Sequence, residues 1–118
     1  MAEKDVLGRR GEAVAAGWLE DRGYTIVARN WRCAHGELDL IARRGCVTAF
    51  VEVKTRSSIE YGHPFEAITP EKAARVRRLA AEWCRAHGPV RGETRIDAIA
   101  VLDAWSGKPS VEHLPGVA

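Results

Sequence analysis

Asp39, Glu52 and Lys54 lie in two runs that otherwise read as strand interiors, Gly36-Glu37-Leu38-Asp39-Leu40-Ile41 and Phe50-Val51-Glu52-Val53-Lys54-Thr55. Ionised groups are costly to bury unless they are paired or bind a metal. Side chains alternate across a strand. Glu37, Asp39 and Ile41 are therefore expected on one face, with Leu38, Leu40 and Ala42 on the other. In the second run Phe50, Glu52 and Lys54 share a face, opposite Val47, Ala49, Val51 and Val53. A two-residue turn at Gly45-Cys46 or at Arg44-Gly45 would join the runs as a hairpin, because glycine supplies positive φ. The first turn sets Asp39 opposite Glu52 and Glu37 opposite Lys54; the second sets Glu37 opposite Glu52. In both registers all four charges share a face. Directly opposed Cβ atoms lie about 4.5–5.5 Å apart, so an acid–acid pair there needs a proton or a cation between its members. Mg²⁺ suits such a pair, since it takes one or two carboxylates plus waters and phosphate oxygens. Lys54 beside it could position or help deprotonate a water, or stabilise charge building on phosphate. The plainer alternative is a solvated hairpin face on which Lys54 neutralises Glu37.

The hairpin needs other elements to hold it. Asp5 to Arg22 reads as a helix with Leu7, Val14, Ala15, Trp18 and Leu19 on its apolar stripe, stopped by Gly23. Glu12 falls at the edge of that stripe, either as an exposed boundary residue or as a further member of the charged face. Gly8 and Gly11 lie on or near the stripe, where small residues allow close approach to another element. Tyr24 to Asn30 alternates as a first strand, with Tyr24, Ile26 and Ala28 on one face. Arg56 to Thr69 is irregular and polar, either a plain connector or a lid contacting substrate. Thr69-Pro70-Glu71 starts a second helix, with Thr as N-cap and Pro in the first turn. Its stripe is Val76, Leu79, Ala80, Trp83 and Cys84, and Gly88-Pro89 ends it. Lys72, Arg75, Arg77, Arg78 and Arg85 make its remaining surface basic: a solvated face or a phosphate-contacting one. Arg95 to Asp103 is apolar on both faces, as a central strand should be. Asp97 interrupts it and needs a partner, Arg95 or a cation. Ser110 to Leu114 reads as a short edge strand. The order α-β-β-β-α-β-β predicts an α/β domain with a mixed sheet.

The 118 residues suit a single domain, with a core over about 5–103 and a C-terminal tail over 104–118. No stretch is long and apolar enough to span a membrane, and the charged amino terminus lacks a secretory apolar region, so a cytoplasmic protein is expected. Three cysteines argue against a disulfide framework. Cys33, His35 and Cys46 match zinc spacings poorly. A net charge of +2 does not by itself indicate nucleic acid, but the basic residues are mostly arginines, whose forks suit phosphate.

Taken together, Gly8-x-x-Gly11-Glu12, Asn30-x-Arg32, Gly36-Glu37-Leu38-Asp39-Leu40-Ile41 and Val51-Glu52-Val53-Lys54-Thr55-Arg56 resemble the bacterial YraN family, over about Gly8 to Asp103. That family belongs to the restriction-endonuclease-like fold with its PD-(D/E)xK signature. The resemblance implies an αβββαβ core with a mixed sheet flanked by helices, and divalent-metal nuclease architecture. By position it makes Asp39 the metal-binding acid, Glu52 the second acid and Lys54 the catalytic lysine. It gives Val53 a main-chain carbonyl on the metal. Glu12 matches an acid on the first helix of related Holliday-junction resolvases, and Glu37 is an accessory member of the Gly-Glu-x-Asp motif. One departure is Leu38, where the signature has proline.

The resulting expectation is a Mg²⁺- or Mn²⁺-dependent endonuclease acting on DNA, on branched or damaged strands. Arg56, Lys72, Arg75 and Arg78 would position the backbone without reading bases. Related resolvases work as dimers, so a homodimer is compatible with the resemblance. The alternatives are a nucleic-acid-binding protein without catalysis, and an interaction protein whose charged hairpin is merely salt-bridged.

Overall fold

The computed structural model describes residues 3–57, 65 and 68–117. Seven elements follow in chain order: α1 (Glu3–Glu20), β1 (Thr25–Cys33), β2 (Gly36–Arg44), β3 (Val47–Arg56), α2 (Pro70–His87), β4 (Glu93–Leu102) and β5 (Ser110–Leu114). Types and order agree with the sequence reading; the bounds move by up to three residues, as helix and strand ends do. Most of the polar segment read as a connector or lid, 58–64 and 66–67, lies outside the described residues.

The strands form one mixed sheet in the order β1-β2-β3-β4-β5. Neighbours are antiparallel except β3 and β4, which run parallel from Val47↔Glu93 to Arg56↔Leu102. A parallel pair needs a crossover, and α2 lies within it. Thr69 caps α2, its Oγ1 accepting the Lys72 N–H at 3.2 Å, a contact worth about 1 kcal/mol. Gly88 follows the helix with φ 91°.

The two helices cover opposite faces of the sheet. Ala15, Ala16 and Leu19 of α1 pack with Leu40, Ala42, Ala49, Val51, Val53, Ile99 and Val101. Val76, Leu79, Ala80 and Trp83 of α2 pack with Leu38, Ile41, Phe50 and Ile96. β4 is buried on both sides from Ile96 to Val101, as a strand with apolar residues on both faces should be. Cys84 is only partly buried against the α2 cluster, and all three cysteines are free. Among the described residues no helix is long and apolar enough to cross a membrane.

Asp97, fully buried in β4, finds three partners where the sequence offered Arg95 or a cation. Arg95 donates to both its oxygens, from Nε at 2.7 Å and Nη2 at 2.8 Å. His113 Nε2 lies 2.7 Å from Oδ2, and the Gly116 N–H donates to Oδ1 at 3.1 Å. Arg95 also donates to the Tyr24 hydroxyl. Burial alone would push the Asp97 carboxyl up; the bonds from His113, Arg95 and Gly116 outweigh it and hold it below the usual range. The network ties β5 and the tail beyond it to the centre of the sheet.

Candidate functional site

Gly11 decides how close α1 comes to the hairpin. A Cβ at this position would sit 2.7 Å from the Thr55 Cβ and closer still to its hydroxyl, whereas Gly8 meets nothing within 4 Å. Of the two glycines on the stripe, Gly11 is therefore the one that permits contact. It seats α1 on β3, and the next residue, Glu12, reaches the hairpin. Gly11→Ala is expected to cost about 1–3 kcal/mol of overpacking, read as a lowered urea midpoint. Adding Thr55→Gly should restore most of it, and an unchanged midpoint in the single variant would refute the close seating.

The hairpin turns at Gly45-Cys46, with Gly45 at φ 59° and Arg44 paired with Val47. This is the register that sends Asp39 toward Glu52. Backbone pairing runs from Arg44↔Val47 to Leu40↔Val51. At the next position the Asp39 side chain accepts the Val53 N–H, at 2.8 Å. The expected placement of four charges on one face does not hold. Leu38 packs with Ile41 in the α2-side cluster, while Leu40 packs on the α1 side. Residues three apart cannot share a face of a regular strand, so alternation breaks between Leu38 and Leu40. The neighbouring strand breaks at the same level. Asn30 has φ 51°, and Ala28 and Trp31 on either side of it both pack toward α2. A register shift between Ile26 and Ala28 also overturns the single face expected for Tyr24, Ile26 and Ala28.

The break turns Glu37 toward α1. Asn30 Nδ2 donates to Glu12 Oε1 at 2.7 Å and to Glu37 Oε1 at 2.9 Å, and Arg32 Nε pairs with Glu37 Oε2 at 2.8 Å. Glu37 is thus neutralised by Arg32, not by Lys54. One carboxylate oxygen each from Glu12, Glu37 and Asp39 lies within 4.8 Å of the others. Asp39 is pushed up to about 7, chiefly by burial and next by the Glu52 charge. The Val53 N–H opposes the rise, and Glu12 and Glu37 add to it. Crowded, partly desolvated oxygens of this kind form a hard donor set of the sort that Mg²⁺ and Mn²⁺ take.

Glu52 and Lys54 stay on the α2 side of β3, as alternation predicted. Lys54 Nζ lies 3.3 Å from Glu52 Oε1, and Arg75 Nη2 of α2 reaches the same oxygen at 3.6 Å. Glu52 is buried and stands outside the close trio of acids. A cavity of about 420 Å³ nevertheless joins Glu12, Asp39, Glu52, Val53, Lys54 and Arg56. A second, of about 390 Å³, opens on the far side of Glu12 and is lined by Arg9, Asn30, Arg32 and Glu37. Of the expected phosphate contacts, Arg56, Arg75 and Arg78 are exposed and Lys72 is half-buried. The His35 N–H contacts the Cys33 sulfur, and its ring faces Glu82.

In the sequence, Asn30 and Arg32 have no role beyond their motif, and Arg75 points to phosphate, not to Glu52. An asparagine inside a run of strand formers was the available signal, since it disfavours strand and tolerates positive φ.

A family described as uncharacterised protein family UPF0102 matches residues 11–101. A UPF0102 protein of Leifsonia xyli subsp. xyli is 65% identical over 117 residues, covering 99% of each chain. Its counterparts in Arthrobacter sp. (strain FB24) and Nocardia farcinica are 55% and 47% identical over the same length, covering 99% and 92% of those proteins.

Proposed function

The chain belongs to the UPF0102 family, the YraN type that its motifs resemble, and on that premise we propose that it is a divalent-metal-dependent endonuclease. Its substrate is DNA, branched or damaged, and its core is the αβββαβ arrangement of restriction-endonuclease-like proteins. One observation carries the reading: the acids of α1 and β2 converge beside the ion pair of buried Glu52 with half-buried Lys54 in one cleft. An interaction surface has no need of a crowded acid held near 7.

Asp39, Glu12 and Glu37 would hold Mg²⁺ or Mn²⁺, with Glu52 and the Val53 carbonyl completing the set from β3. When bound, the ion supplies Lewis acidity toward a phosphate oxygen and lowers the pKa of a water. The chain's own residues do the rest. The Val53 N–H fixes the Asp39 carboxylate. Asn30 holds Glu12 and Glu37 at one spacing. Glu52 aims the Lys54 ammonium into the cleft, where it donates to a non-bridging phosphate oxygen as charge builds. Arg56 at the cleft, with Lys72, Arg75 and Arg78 along α2, binds flanking phosphates.

Cleavage of single-stranded, duplex, flap and four-way-junction DNA in Mg²⁺ and Mn²⁺ tests the proposal. Lys54→Ala should lower the rate about 10²–10³-fold, the usual loss for one positioned donor. No cleavage of any substrate with either metal, or cleavage undiminished in the variant, would sink it. A binding protein without catalysis is the second reading, favoured by the two cations that already claim Glu52. It predicts salt-sensitive binding that no metal alters.

A further inference from the structure

Trp105 is 65% exposed, on the turn between β4 and β5. A lone exposed apolar residue is ordinary; a tightly anchored one beside a candidate site is not. Ala104, immediately before it, is buried in the α1-side core. Arg10 Nε donates to the Ala104 carbonyl at 2.9 Å, and its guanidinium lies 5.8 Å from the centre of the Trp105 ring. The Asp103 N–H donates to the Arg56 carbonyl at 3.3 Å, and the Ser106 N–H to that of Asp103 at 2.9 Å. The Lys108 N–H closes the turn on the Ser106 hydroxyl at 3.1 Å. The indole is thus carried by a fixed turn.

The turn is also bonded to the edge of the cleft. Arg56, to which it is bonded, lines the same cavity as Asp39 and Glu52. Exposed Arg10, Arg56 and Lys108 bring three positive charges to this end of the sheet, against the single acid of the turn, Asp103. A flat aromatic ring among cations is the composition that binds unpaired nucleotides: the ring stacks on a base and the cations hold phosphates. The interior of a duplex offers no such base, because its faces are covered by neighbouring pairs.

We propose that Trp105 is a stacking platform for an unpaired nucleobase, and that it selects strands with single-stranded character for the adjacent cleft. Arg10, Arg56 and Lys108 hold the phosphates flanking that base. The inference rests on the nuclease reading of the cleft and narrows its substrate.

The test is equilibrium binding in EDTA, by fluorescence anisotropy, of a labelled oligothymidylate, the same chain with abasic spacers, and a blunt duplex. Trp105→Ala should weaken oligothymidylate binding about 5- to 100-fold. It should leave the duplex within twofold and the salt dependence unchanged, because phosphate contacts set that slope. Trp105→Phe should retain most of the affinity, and the abasic strand should bind wild type as weakly as oligothymidylate binds Trp105→Ala. Equal losses on single strand and duplex would overturn the proposal. So would an unaffected Trp105→Ala, or a wild-type chain that ignores the base. Metal and cleavage play no part in this assay, so a chain that cleaves DNA yet stacks no base loses only this inference. Because Trp105 is exposed, thermal melting of the variants should match wild type.

Discussion

Asp39→Asn is expected to make the metal-free protein more stable, and to abolish both Mn²⁺ binding and DNA cleavage. Folding raises the Asp39 carboxyl from 3.8 to about 7. The folded chain therefore holds this proton more tightly than the unfolded one. The sign follows: the contribution of Asp39 to stability is fully present below about pH 4 and is lost as pH rises through about 7. Asparagine has no charge to lose, and its carbonyl can still accept the Val53 N–H. In EDTA the melting temperatures of variant and wild type should diverge from pH 4 upward, with the variant higher. Added Mn²⁺ should stabilise wild type, since it binds the folded state, and leave the variant unmoved. Because a proton must leave Asp39 first, apparent Mn²⁺ affinity should rise about tenfold per pH unit below 7 and then level off. Calorimetry at three pH values, with melts in parallel, reads both effects. A variant less stable than wild type in EDTA at pH 8 would mean that Asp39 is not crowded by charge as described.

Asp97→Ala should be the most damaging single change to the fold itself. It removes the acceptor of three donors and strands Arg95 beside a sheet that has no other carboxylate for it among its described bonds. Breaking a buried pair by deleting one member costs about 3–5 kcal/mol, against a total stability of about 5–15 kcal/mol for a typical domain. Urea melts should show a loss of this size, and the Gly116 amide should lose protection from hydrogen exchange. Asp97→Asn, which keeps the shape and some acceptors, should cost less. Because Asp97 sits below its usual range, its contribution is present at neutral pH and disappears as pH falls through that lowered value. A loss under about 1 kcal/mol for Asp97→Ala would show that the network is not what secures the tail.

Much of this was legible in the sequence. The helical stripes, the order of the strands and the Thr69-Pro70 start each rest on local chemistry, which a single chain displays. So does the parity of β3, which set Glu52 and Lys54 together. The turn was narrowed to two choices, and only pairing of Arg44 with Val47 could decide between them. Strict alternation through Asp39 misplaces Glu37, and a bend spread over two strands leaves only the faint mark of Asn30. The pairing of Arg75 with Glu52, across the gap between α2 and β3, depends on packing between elements and leaves no trace in spacing. Asp97 announced that it needed partners, but nothing local pointed to His113.

The bend at Asn30 and Asp39 has a consequence for anyone engineering this protein. Asn30 holds a left-handed conformation that costs most non-glycine residues about 1–2 kcal/mol and asparagine less, and a strand former there would recover propensity on paper. Straightening β1 would also swing Trp31 off the α2 core and release the amide that spaces Glu12 from Glu37. Substitutions chosen to make the sheet more ideal would therefore trade the chemistry of the cleft for regularity. Gains in robustness are better sought at exposed positions of the helices, where no such exchange is involved.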